Sequence, residues 1–378
     1  MGPLAGVKVI ELAGIGPGPF CCMALADMGA EVIRVDRMAA ADLGLPGDPR
    51  FALLNRSRRS IAVDLKAAQG VAILRRLVAG ADMLVEGFRP GVTERMGLGP
   101  ADCHAINPRL VYGRMTGWGQ TGPLAHAAAH DINFIALPGA LDAIGPAGGA
   151  PVLPLNLLGD FGGGALYLAF GMACALLEAR QSGHGQVVDA AIVDGVAHLM
   201  TDVYAKAAAG RWHTERGQTL LAGGTPFYGV YPTSDGHHIA IGAIEARFFR
   251  ELMQRLGIAH DHPQHDPAGW PALRAKLAAT FATKTRAEWV ALLEGTDACF
   301  APVLALEEAR AHPHLVARGT FVEVDGIAQP APAPRFSRST PDLPRPPALP
   351  GQHSDAILAE LGYDEAEVAA LRDAGVVL

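Results

Sequence analysis

The chain has 378 residues, 50% of them hydrophobic and 18% charged, so it can bury a large core without metals or cross-links. Its net charge of −7, with the basic residues scattered singly, argues against a nucleic-acid surface, which needs a clustered positive field. Five cysteines (Cys21, Cys22, Cys103, Cys174, Cys299) form no C-x-x-C pair and are an odd number, the usage expected of a reducing compartment.

Met1 to Gly6 runs into a strand pattern with no basic and apolar leader, so no signal peptide is indicated and a cytoplasmic protein is expected. Lys8 to Leu12 reads as a strand, Pro19 to Met28 as a helix and Glu31 to Asp36 as a second strand, a βαβ unit. Alternation continues through a strand at Ser60 to Asp64, a helix at Gly70 to Ala79, and strands at Met83 to Glu86 and Leu110 to Tyr112. The fold class is therefore α/β, an open Rossmann-like parallel sheet. Asp160 opens a long small-residue helix ending near Gly183. The apolar run Gly163 to Leu177 within it is too short for a bilayer and reads as a buried core helix, so no membrane partner is expected. A strand at Gln186 to Ala190 leads into a further helix.

The expected division is a large α/β domain over residues 1–200, a linker over 201–225 that carries Trp212 and His213, and a smaller α+β domain over 226–318. The last contains a strand at Ile239 to Gly242 and helices at 246–256, 270–282 and 286–293. Residues 319–378 form a return segment: a proline-rich extended strap from Pro330 to Pro350, then helices at Ser354 to Leu361 and from Asp364 that pack on the large domain.

Several motifs bear on chemistry. Gly14-Ile15-Gly16-Pro17-Gly18-Pro19, with Asp36 ending the next strand, imitates a dinucleotide fingerprint, but its third glycine falls on Pro19, which lacks an N–H. Arg37 follows Asp36 and could hold a phosphorylated ribose. Arg56, Arg58 and Arg59 flank a strand, and Gly87-Phe88-Arg89-Pro90-Gly91 with Arg95 follows the next, so these cations could share one sheet edge and one anionic ligand. His130 and Asp160 are a histidine and a carboxylate on apolar, glycine-lined stretches, and in a poorly solvated cleft both can be tuned toward neutral pH for proton transfer at a carbon acid. Taken singly, His130 could be a turn histidine and Asp160 a helix N-cap. The clusters His260-His262-His265 and His312-His314 lack metal-ligand spacing, so no metal is expected.

These motifs resemble the family III CoA-transferase superfamily and, within it, the α-methylacyl-CoA racemases. The resemblance rests on Pro3 to Leu12, Gly29 to Asp36, Asn55 to Lys66, Gly87 to Pro100 and Arg114 to Pro123, and for the racemase branch on His130-Asp131-Ile132-Asn133, Gly159 to Gly164 and Gly242 to Glu245. It implies interconversion of (R)- and (S)-2-methylacyl-CoA by His130 and Asp160 acting on opposite faces of the α-carbon, with Glu245 behind His130. It implies CoA contacts at Arg37, at Val63, Asp64, Leu65 and Lys66, at Gly87, Phe88 and Arg89, at Arg95, and along Ala129, Asp131, Ile132, Asn133 and Phe134. No cofactor is implied beyond the CoA of the substrate. The family's assembly is an interlocked homodimer whose sites combine the large domain of one chain with the small domain of the other. The chain departs at Ala129, where the branch usually has Gly, and at Phe134, commonly Tyr. The competing reading is CoA transfer, with Asp160 as a nucleophile forming an acyl anhydride; a nicotinamide oxidoreductase is the reading from outside the family.

Overall fold

The structure is a computed structural model of the whole chain, and it describes residues 1–39, 47–212 and 215–378. His213, named in the expected linker, lies outside the described residues. Two compact units form: residues 1–138, 154–200 and 317–378 make the first, and residues 139–153 with 201–316 make the second.

The first unit is built on a six-stranded, all-parallel sheet. Its strands are β1 (Lys8–Leu12), β2 (Glu31–Asp36), β3 (Arg59–Ala62), β4 (Met83–Glu86), β5 (Val111–Thr116) and β6 (Val187–Ala191), in the order β3-β2-β1-β4-β5-β6. Central strands covered on both faces must be apolar throughout, and every residue of β4 is buried. The buried charges among them are paired: Glu11 with Arg58 at 2.7 Å, Arg34 with Asp36 at 2.8 Å, and Glu86 with Arg114 at 2.9 Å.

Helix α1 (Pro17–Asp27) follows β1 directly, starting two residues earlier than the expected Pro19, because proline is well suited to the first helical position. Helix α2 is Ala68–Ala79, and the short α3 is Asp131–Ala136. A π-helical segment, Leu157–Ala165, continues into α4 (Leu166–Ser182), and β6 leads into α5 (Ile192–Leu199). The 157–182 stretch is long and apolar enough by composition to cross a membrane, and 39% of its most apolar window is buried. That corrects the expectation of a buried helix: the segment is buried on one side only. Leu168, Met172, Ala175 and Leu176 face the core, whereas Leu166, Phe170 and Leu177 are 52%, 70% and 62% exposed. A helix apolar all round carries no stripe from which its covered side could be read.

In the second unit, β7 (Tyr228–Pro232), β8 (His238–Gly242) and β9 (Phe300–Val303) form an antiparallel sheet. Its core joins Phe227, Ile239, Ile241, Phe249, Leu277, Phe281 and Trp289, drawing on helices α6 (Ala246–Leu256), α7 (Trp270–Phe281) and α8 (Arg286–Leu293). Residues 139–153 also pack here, so the expected large domain of residues 1–200 is interrupted. The cause is Arg216, whose guanidinium donates to the Asp142 carboxylate and to the carbonyls of Asp142 and Gly149.

The chain then returns to the first unit through the hairpin β10 (Phe321–Val324) and β11 (Ile327–Pro330), followed by the proline-rich strap. Helices α9 (Ser354–Glu360) and α10 (Glu365–Asp373) deliver Ile357, Leu358 and Leu371, and the residues after α10 deliver Val376 and Val377, into the core around Ile61, Ile73 and Leu84.

Candidate active site

From β1 the sheet is extended one way through β2 and β3, and from β4 the other way through β5 and β6. The loops leaving the carboxyl ends of β1 and β4 therefore diverge, and a crevice opens at this reversal, the usual ligand position in open α/β sheets. A cavity of about 760 Å³ occupies it. Gly14 to Pro19 after β1, Glu86 to Pro90 from the end of β4, Thr116 to Trp118 from the end of β5, Ala127 to His130, Asn133 and Phe134, and Asn156 and Asp160 line it.

One wall is the start of α3. His130 is its N-cap residue in an extended conformation (φ −132°, ψ 177°), exposed, with its backbone N–H donating to Asn133 Oδ1 at 3.1 Å. Phe134 anchors the helix: its ring lies against Gly117, where a Cβ would come within 1.9 Å of the ring edge, and meets Trp118 edge-on at 4.8 Å. Helix α3 thus turns on a side-chain contact that only a glycine at 117 permits.

The other wall is the π segment. Gly163 and Gly164 let it press on its neighbours: a Cβ at Gly163 would sit 2.6 Å from Val196 Cγ2, and one at Gly164 2.9 Å from Ile192 Cγ1. From α5, a Cβ at Gly195 would fall 1.8 Å from the Gly163 carbonyl oxygen, so backbone lies on backbone. Asp160 is the fourth residue of this segment, not the N-cap that its sequence position allowed. Its backbone N–H donates to Asp131 Oδ2 at 2.6 Å, and its carboxylate receives Asn156 Nδ2 at 3.5 Å, the limit of a hydrogen bond. Gly16, at φ 68°, faces Asp160 Oδ2 so closely that a Cβ there would come within 3.0 Å. The next residues, Pro17 and Pro19, have no N–H to offer. Burial raises the Asp160 carboxyl above the ordinary aspartate range. The Asp131 charge adds to this, while Asn156 and His130 act in the opposite direction. A carboxylate poor in donors and a histidine on one cavity are the equipment for moving protons at a carbon centre.

Of the residues singled out in the sequence, His130, Asp160, Arg37, Gly87, Phe88, Arg89, Ala129, Asn133 and Phe134 line the cavity. Phe88 turns toward the core and Arg89 stays exposed. Asp131 stands behind the wall. Val63 is buried and bridges Val377, Asp64 and Leu65 are half-buried, and Lys66, Arg95 and Ile132 are exposed away from the lining. Glu245 belongs to the second unit, as the exposed N-cap residue of α6.

The expected convergence of Arg56, Arg58 and Arg59 on an anion is corrected. Arg56 holds Asp27 and Gln329, Arg58 holds Glu11 and Asn55, and Arg59 holds Glu31 and Glu360. Burying an arginine requires such partners, so these charges are spent on the fold. Asp36 is likewise taken, by Arg34 and by Ser60 Oγ at 2.6 Å. Asn156, one helical turn before Asp160, is a site residue the sequence reading did not pick out; the spacing alone would have suggested it.

The model of CoA-transferase family III matches residues 4–354. The chain is 45% identical to an α-methylacyl-CoA racemase of Mus musculus over 99% of this chain and 97% of that one. It is 32% identical to a succinyl-CoA:glutarate CoA-transferase of the same organism over 100% and 91%. A solved CAIB/BAIF family protein from Brucella suis superposes with a TM-score of 0.82 at 28% identity, covering 95% of this chain and 99% of that one.

Proposed function

The chain belongs to CoA-transferase family III, and we propose that it is an isomerase interconverting (R)- and (S)-2-methylacyl-CoA. The observation that carries this reading is the presence of His130 and Asp160 on one cavity, in a chain markedly more similar to a racemase than to a transferase. A thioester acidifies its α-proton, but a base of ordinary strength removes it only when the enolate oxygen is stabilised. The His130 N–H is spent on Asn133, which leaves the first-turn N–H of Asp131 as the donor we assign to that oxygen. One of His130 and Asp160 takes the α-proton; the other, already protonated, delivers a proton to the opposite face of the planar enolate. Reversing the substrate hand exchanges the roles, so exactly balanced proton inventories are kept: one carrier is acid and one is base in each direction.

In this reading Arg37 and Arg89, both exposed beside the cavity, neutralise CoA phosphates, with Lys66 and Arg95 completing the set and Val63, Asp64, Leu65 and Gly87 beside them. Ile132 and Ala129 flank the histidine. No cofactor other than the substrate's own CoA is needed. We assign the exposed apolar face of α4 to a second copy of the chain rather than to lipid, and Glu245 of the partner subunit to fixing the imidazole of His130. The unpaired thiols of all five cysteines support a cytoplasmic setting.

The test is incubation of one enantiomer of a 2-methylacyl-CoA in deuterated water without any carboxylate acceptor. Inversion with α-deuterium uptake is expected. Absence of both, together with CoA transfer to an added carboxylate and hydroxylamine trapping of an acyl-enzyme, would establish the transferase reading instead.

A further inference from the structure

We propose that the side chain of Asp131 is a positioning residue that fixes Asp160 relative to His130. This rests on the assignment of those two residues as the proton carriers.

The first turn of a helical segment leaves its backbone N–H groups without partners inside the helix, and a π turn leaves one more than an α turn. Asp160 sits in that first turn, and the acceptor for its N–H comes from another element: Asp131 Oδ2, at 2.6 Å. A charged acceptor at this distance is among the stronger hydrogen bonds a backbone makes. A second observation shows that the seat is built for it. At Gly159 an added Cβ would stand 2.2 Å from Asp131 Oδ2 and 2.7 Å from its Cγ, so the carboxylate fills the space that any other residue at 159 would use.

Asp131 is also the residue after His130. One covalent step and one hydrogen bond therefore join the two proton carriers, and no other side chain makes such a link between these walls among the hydrogen bonds of the described residues. A shift of α3 is transmitted to Asp160 through the same carboxylate. The charged groups acting on Asp160 are Asp131, which disfavours its ionised form, and His130, which favours it. The nearest side chains from the other elements packed on the segment include Pro17, Phe20, Met115, Ile192, Val196 and Leu199, and none of these titrates. The hydrogen bond to the Asp160 amide and the repulsion of the Asp160 carboxylate come from one group, so geometry and basicity are set together.

The experiment compares Asp131→Asn, which keeps an acceptor oxygen but loses the charge, with Asp131→Ala, which loses both. In racemisation assays, kcat is expected to fall about tenfold for Asp131→Asn and about a hundredfold for Asp131→Ala, with KM within about twofold of the parent. The limb of the pH profile that reports Asp160 is expected to move to lower pH in Asp131→Asn. Carbon-13 titration of the carboxyl groups, with Asp160→Asn to assign the signal, reads the same shift without any turnover, and so separates this proposal from the racemase reading itself. If the Asp160 signal titrates identically in the parent and in Asp131→Asn, with near-ultraviolet circular dichroism unchanged, the proposal is overturned. It is overturned equally if the loss of activity lies wholly in KM, which would make Asp131 a ligand contact.

Discussion

The two walls of the cavity are built by different means. The His130 wall is a short helix held by one aromatic side chain against Gly117, and it leaves its histidine exposed. The Asp160 wall is a π turn pressed backbone to backbone on α5, and it leaves its carboxylate half-buried beside Gly16. The difference teaches that a histidine and a carboxylate on one cavity need not share one setting: the histidine is exposed, and the carboxylate is half-buried with a donor at the limit of a hydrogen bond. That contrast suits a reaction in which each group must serve as acid in one direction and base in the other.

Removing either carrier should have the largest effect. His130→Ala and Asp160→Asn are each expected to lower racemisation by about 10²–10⁴-fold, measured by loss of optical rotation from a single enantiomer. A comparable loss in one variant only would break the symmetry of the two roles.

The walls should also fail differently. Gly195→Ala forces a Cβ onto the Gly163 carbonyl, where neither backbone can yield cheaply, and is expected to cost about 3 kcal/mol in urea unfolding. Gly117→Ala meets only the Phe134 ring, which can swing away. It should cost about 1–2 kcal/mol, less than Gly195→Ala, while lowering kcat by displacing His130. Equal losses of stability would contradict the distinction.

Arg89→Ala touches neither wall's chemistry. It should raise KM for the CoA thioester about tenfold and leave kcat nearly unchanged, as expected of a group that binds substrate and transition state alike.

The smallest effect concerns stability. The Asp160 carboxyl is raised, chiefly by burial, so the folded chain holds this proton more tightly than the unfolded chain. The group therefore contributes stability that is fully present below the ordinary aspartate value and is lost as pH rises through the raised one. Asp160→Asn removes that loss. At neutral pH its Tm should exceed the parent's by roughly 2 °C, with the gain disappearing in acid. Thermal melts at the two pH values measure it.

Much of this was legible in the sequence because parallel strands covered on both faces write themselves as apolar runs. Val9, Ile10 and Leu12, or Met83 to Val85, read as strands for the same reason that they are buried. His130 and Asp160 were visible as polar groups in apolar surroundings. The arginines were misread because a cation after a strand looks the same whether it faces a ligand or a buried acid. Arg58 is buried with Glu11 and Asn55 within reach, whereas Arg89 is exposed, a fact of the third dimension. The exposed side of α4 was hidden because its first three turns, Leu166 to Leu177, are apolar on every side, and the π turn at Asp160 has no sequence period of its own: Gly162 to Gly164 announced close packing but not its partner.

The two-carrier arrangement is tested most directly by exchange of the substrate α-proton in deuterated water, followed by proton NMR for each pure enantiomer with His130→Ala and with Asp160→Asn. Each variant retains one base on one face, so each is expected to wash deuterium into one hand only, and the two variants into opposite hands, with inversion lost in both. Exchange of both hands by one variant, or of the same hand by both, would contradict the assignment of His130 and Asp160 to opposite faces of the α-carbon.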